Sequence, residues 1–170
     1  MNKENILKTF CKDLLLESLV ICKQIEQQES LKEKIKIHEG FRNKIYLDSL
    51  GKKTIGYGHL ITKDDKFEEG VEYSREELDE LFEKDFQKGW NLMQVFCDKN
   101  NLRSISDTAK EILCEMIFQM GFAGVSKFKN MIKALQNRDY KQASIEMLDS
   151  RWAKQTPNRA KELSDHMAKA

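Results

Sequence analysis

The sequence predicts an α+β fold, mostly α. Three observations carry that expectation: one β-leaning hairpin pattern early in the chain, helical periodicity throughout the residues after Ser74, and a composition without linkers. The 170 residues include 8 Gly and 1 Pro, and no Ser-rich or low-complexity stretch interrupts them, so a flexible joint between separate domains has no segment to occupy. A hydrophobic content of 40% is enough for one substantial core, divided at most into two lobes.

From residue 3 to about 27 the chain reads as an amphipathic helix with Leu7, Phe10, Leu14, Val20, Ile21 and Ile25 towards one side. The stretch 14–22 is nearly apolar and follows several lysines, as in a signal peptide. Glu17 interrupts it, however, Asp13 borders it, no small-residue cleavage site follows, and it is shorter than the roughly 20 residues that span a bilayer. A surface helix is expected rather than a stable membrane insertion. The polar stretch 24–30 is expected to end this helix and Ser30 to begin a second, with Leu31, Ile35 and His38 at i, i+4 and i+7. Gly40 then stands where a left-handed cap is wanted, which puts Glu39 at a helix end.

Between 41 and 61 the periodicity changes. Residues 44–48 and 53–57 are short β-leaning runs around a Leu50-Gly51-Lys52 turn, and Gly56 and Gly58 mark a bulge or a close approach of backbone to a ligand. Residues 62–73 are acidic and loop-like. Ser74, with Glu77 three positions on, is a capping box opening a long helix that carries Leu78, Phe82, Phe86, Met93 and Phe96, and that could link two lobes. Ser106 starts the next, ending at Gly121. Helices over 126–136, 139 to about 154 and 157 to about 169 complete the set, the last with Thr156 as N-cap and Pro157 in its first position.

Lys plus Arg number 29 against 28 Asp plus Glu, a formal charge of +1, which gives no global field for a polyanion; nucleic acid is not indicated. Cys11, Cys22, Cys97 and Cys114 are too scattered for a C-x-x-C site and read as reduced, mostly buried thiols suited to a reducing compartment. Three histidines show no zinc spacing, so no metal and no cofactor is assigned.

Glycosidic cleavage commonly needs one protonated carboxyl to assist the leaving oxygen and one ionised carboxyl to activate water or attack the sugar. Glu39 and Asp48, at a helix end and at the finish of the next strand, are the pair best placed to share a cleft. Thr54 follows across the turn, where its hydroxyl, both donor and acceptor, could hold a water near Asp48. By pattern alone, solvated carboxylates and a strand threonine explain these residues better, because 28 acidic residues produce many such pairs.

The order of residues adds what their types cannot. His38-Glu39-Gly40-Phe41-Arg42, then Ile45-Tyr46-Leu47-Asp48, then Thr54-Ile55-Gly56-Tyr57-Gly58-His59-Leu60 closely resembles the active-site region of bacteriophage-type lysozymes. Far downstream, Phe118-Gln119-Met120-Gly121, Ser150-Arg151-Trp152 and Gln155-Thr156-Pro157-Asn158-Arg159-Ala160-Lys161 resemble the helical lobe of the T-even phage lysozymes. The likeness spans about 31–161. It implies a lysozyme-like two-lobed fold with a small β-hairpin lobe (about 38–73), a long connecting helix (about 74–98) and a helical lobe (about 99–170). Together these form a catalytic domain over 30–170 behind an amino-terminal helical extension, 1–29.

The resemblance also implies roles. Glu39 would be the general acid, and Asp48 with Thr54 would position the attacking water, giving inversion where the carboxyl groups stand about 6.5 to 9.5 Å apart. Arg159 matches a family arginine beside the glutamate, and His59 and Asp85 match a structural pair of the small lobe. Gly58, Leu60, Phe118 and Gln119 would line the cleft, with Gln119 able to hydrogen-bond an acetamido group. Trp90 and Trp152 fit helical apolar patterns and read as core. The expected activity is that of an N-acetylmuramidase cutting the β-1,4 bond between N-acetylmuramic acid and N-acetylglucosamine in peptidoglycan glycan strands. The alternatives are a lytic transglycosylase and a non-catalytic peptidoglycan-binding module.

Two departures stand out. Between 62 and 74 the chain is shorter than the T-even enzymes by about a dozen residues, so a short helix of the small lobe is expected to be missing and one rim of the cleft to be lower. The first 30 residues match nothing in the family and are expected to dock a partner or the helical lobe. No convincing export signal is present, so synthesis in the cytoplasm and delivery to the wall by a separate route are expected.

Overall fold

The structure, a computed structural model, describes residues 3–48 and 51–170, with the backbone alone at 3–11 and 13. Leu50 of the expected turn, the side chains of Leu7 and Phe10, and that of Cys11 lie outside the described residues. The chain divides into two compact units, Met1–Ile37 and His38–Ala170.

The first unit is one helix, α1 (Lys3–Glu39), whose final two residues begin the second unit. The break expected at 24–30 does not occur. That stretch is polar but contains neither Gly nor Pro, and its Gln and Glu residues have high helix propensity. Lys32 and Glu29 pair across it at 2.8 Å. Apolar positions 14–16 and 19–21 are consecutive, so they spread around the helix instead of forming the one-sided stripe expected. Leu14, Leu15, Leu16, Leu19, Val20, Ile21 and Ile25 are all exposed, whereas Leu31 and Ile35 are buried.

Gly40, at φ +71°, ends α1 as anticipated, in a conformation that a β-carbon disfavours. An antiparallel sheet follows, β1 (Arg42–Leu47), β2 (Lys53–Gly56) and β3 (His59–Leu60), in that spatial order. The third strand was not anticipated. Two residues are too few to show an alternating pattern, and the turn at Gly56 and Gly58, both at positive φ, is what folds it back. Arg42 pairs with Gly56 and Tyr46 with Thr54, so four steps along β1 answer two along β2, and the strand is irregular between them. Residues 61–73 contain no helix, in keeping with the expected shortening. Tyr73 pins this loop by donating its backbone N–H to the Asn43 carbonyl and accepting the Glu68 N–H on its hydroxyl oxygen at 2.7 Å.

Helix α2 (Arg75–Lys99) opens with the full capping box: Glu77 N–H donates to Ser74 Oγ and Ser74 N–H to Glu77 Oε2. Helix α3 (Asp107–Val125) is capped by Ser106 and kinked at Gly121, which stops regular helix there before one further turn. Helix α4 (Lys129–Gln136) starts three residues later than expected. The helix expected over 139–154 is two, α5 (Tyr140–Leu148) and α6 (Arg151–Gln155), because Ser150 Oγ accepts the Ala153 N–H and restarts the ladder. Helix α7 (Pro157–Met167) does begin with proline, but Thr156 makes no side-chain cap; its hydroxyl donates back to the Trp152 carbonyl at 3.1 Å.

Helix α2 packs on β2, β3 and α3, and α7 packs on α3, α5 and α6. The core runs from Ile55 through Leu78, Phe86 and Met93 to Leu113, Met116, Met131, Leu135, Met147 and Met167. A file of rings crosses from sheet to helices: Phe41 and Tyr57 at 5.1 Å, Tyr57 and Phe82 at 5.2 Å, and Phe82 and Phe118 at 5.7 Å between centroids. Trp152 is buried as expected, and Trp90 is half-buried and stacked on Phe86. Cys97 and Cys114 are buried thiols, pushed up to about 11 and about 12 by desolvation, while Cys22 is exposed. Among the described residues no helix is long and apolar enough to cross a membrane, and no group of His, Cys, Asp and Glu could hold a metal ion.

Candidate active site

The end of α1 presents His38 and Glu39 to a concavity completed by Gln119 of α3, the Thr156-Pro157-Asn158 start of α7, and Arg159. Arg159 Nη1 donates to Glu39 Oε1 at 2.7 Å, with the two side chains 10% and 21% exposed. A charge-assisted bond so screened from water fixes the carboxylate firmly. On its other side Glu39 meets the turn between β2 and β3. A β-carbon on Gly58 would lie 3.4 Å from Glu39 Oε2, and Gly58 has φ +88°, so both space and backbone conformation favour glycine there.

Asp48 follows β1. Its Oδ1 accepts the Lys52 N–H at 2.8 Å, while its own N–H donates to the Lys52 carbonyl at 2.9 Å, closing the turn. Thr54 is buried on β2, and its hydroxyl donates to that same Lys52 carbonyl at 3.1 Å. The two expected water-holding side chains thus share Lys52 as a backbone partner. Tyr46 on β1 senses both acids: burial raises its phenol most, Arg42 opposes, and the charges of Glu39 and Asp48 each add to the rise.

His59 and Asp85 pair at 2.7 Å, and His59 Nε2 also faces Asp65 at 3.3 Å. The Asp85 hydrogen bond holds the imidazole above its ordinary value, with burial acting the other way. Leu60 on β3 is exposed. Phe118 is half-buried, its ring within the aromatic file and against Gly89. Gln119 accepts the Trp152 indole N–H at 2.7 Å, which orients its amide.

Sequence reasoning missed the acid behind Arg159. Glu115 is 3% exposed, yet its carboxylate lies 4.0 Å from Arg159 Nε and is hydrogen-bonded to His38 Nδ1. His38 Nε2 in turn faces Glu162 of α7 at 3.3 Å. Burial pushes the Glu115 carboxyl up, His38 and Arg159 oppose this, and Glu162 reinforces it. The signal was present: Glu115 interrupts Ile112-Leu113-Cys114 and Met116-Ile117, and a charge inside an apolar run needs a partner.

The family described as Phage lysozyme matches residues 36–169. "Probable T4-type lysozyme 2" of Dictyostelium discoideum is 33% identical over 151 residues, covering 77% of this chain and 89% of the relative. "Probable T4-type lysozyme 1" of the same organism is 30% identical over 159 residues with the same coverage. The "Pre-baseplate central spike protein Gp5" of Enterobacteria phage T4 is 31% identical over 150 residues, which amount to 26% of its own length.

Proposed function

This chain belongs to the phage lysozyme family, and from that premise we propose that it is an N-acetylmuramidase cutting the β-1,4 bond between N-acetylmuramic acid and N-acetylglucosamine. A lysozyme-type peptidoglycan hydrolase is what the family makes it; the particular bond and the steps at it are our reading. The observation that carries the reading is the half-shielded Glu39, clamped by Arg159 on one side and facing the Gly58 backbone on the other.

Glu39 is the general acid that protonates the departing glycosidic oxygen. Asp48 stays ionised and, with Thr54, orders the water that attacks the opposite face of the sugar, an inverting single displacement. Arg159 fixes the Glu39 carboxyl and stabilises the charge left once the proton has gone. Gln119, with its oxygen held by Trp152, offers its amide nitrogen to an acetamido carbonyl, and Gly58, Leu60 and Phe118 shape the wall beside it.

Glu39→Gln is expected to lower release of soluble fragments from purified sacculi by about a thousandfold or more, with the thermal melt retained. Asp48→Asn is expected to lose most activity as well. A fully active Asp48→Asn variant would point instead to transglycosylation, in which the muramic acid's own hydroxyl replaces water.

A further inference from the structure

Acids and bases alternate along one path behind the site: Glu39, Arg159, Glu115, His38, Glu162. Arg159 is the shared member, 2.7 Å from Glu39 through Nη1 and 4.0 Å from Glu115 through Nε. A buried carboxylate is costly unless it is paired, and Glu115 has His38 on one side and the guanidinium on the other. The sharing matters for the chemistry. A guanidinium given wholly to Glu39 would favour its ionised form, whereas a general acid must keep its proton until the leaving oxygen takes it. A second carboxylate on the same guanidinium draws part of that charge away from Glu39 and adds negative charge nearby.

We propose that Glu115 is a positioning residue that acts through Arg159 to keep Glu39 protonated at higher pH, with His38 holding Glu115 in place. The proposal rests on the reading of Glu39 as the acid. The groups facing this network are His38 from α1, Arg159 and Glu162 from α7, and Cys114 beside Glu115 on α3, whose thiol is pushed up to about 12 and carries no charge at working pH. On the sheet side Tyr46 feels the charges of Glu39, Arg42 and Asp48. Burial raises the Glu115 carboxyl from its ordinary value, with His38 and Arg159 opposing the rise.

The test is the pH dependence of kcat/KM for release of reducing ends from peptidoglycan by the full chain. Glu115→Gln should move the alkaline limb down by about one pH unit, while Glu115→Asp, which keeps the charge, should leave it close to wild type. A purely structural role would scale the profile without moving it. An unmoved limb in a folded Glu115→Gln variant, or an equal shift in both variants, overturns the proposal. Should Glu115→Gln alone fail to melt cooperatively, the double replacement His38→Gln with Glu115→Gln removes both members of the buried contact and carries the same expectation: a downward shift supports the role and an unmoved limb overturns it. A wild-type protein that releases no reducing ends would instead sink the reading of Glu39, and this inference with it.

Discussion

Glu39 owes its setting to three residues around it. Gly40 ends the helix just after it, Gly58 lets the β2–β3 turn pass beside its carboxylate, and Arg159 holds it from the other side. Gly58→Ala therefore tests the site without touching a charge. The new methyl meets Glu39 Oε2 and sits on left-handed backbone, so a stability loss of about 1 kcal/mol and an activity loss of about tenfold or more are expected in melts and sacculus assays. Wild-type rates in that variant would show that the close approach does not matter. The pairings of Glu39 with Arg159 and of His59 with Asp85 were readable from the order of residues. Glu115 was not, because what makes its burial tolerable is His38, 77 residues away, and Arg159 on another helix, and periodicity within one helix carries neither.

At the scale of elements, local chemistry was readable where it was self-contained. The Ser74 and Glu77 capping box lies within four residues and formed as written; the α1 break rested on polarity alone, and polarity does not stop a helix whose residues favour helix. Strand β3 escaped notice because two residues gain strand geometry only from their partners on β2. That strand is tied to α2 through His59 and Asp85, and the tie should depend on pH. Asp85 and Asp65 hold the folded imidazole above its ordinary value of 6.5, so the folded state binds the proton more tightly than the unfolded one. The stabilisation is fully present below about pH 6.5 and is lost as pH rises through the folded value. Thermal melts across that window should show a fall in Tm that His59→Asn lacks, with the variant less stable by about 1 to 2 kcal/mol on the acid side. Parallel curves for the two proteins would contradict the tie.

Over the whole molecule, the family match at 36–169 falls almost entirely within the second compact unit, where the end of α1, the sheet with its turns, α2 and the α3–α7 helices supply every residue assigned a role. The order of the motifs carried this architecture because each end of the site lies on a different element: acid on α1, water-holding pair on the hairpin, clamp on α7. The first unit, with Leu14 through Ile25 exposed along a helix, lies outside the family match except for its last two residues. The central claim is hydrolysis at muramic acid with Glu39 as proton donor. Its most direct test is mass spectrometry of the fragments released from peptidoglycan in heavy-oxygen water by wild type and by Glu39→Gln. Wild type should yield fragments with one heavy oxygen at a reducing-end N-acetylmuramic acid, and folded Glu39→Gln should yield almost none. Unlabelled anhydro ends, reducing ends on N-acetylglucosamine, or undiminished release by Glu39→Gln would contradict it.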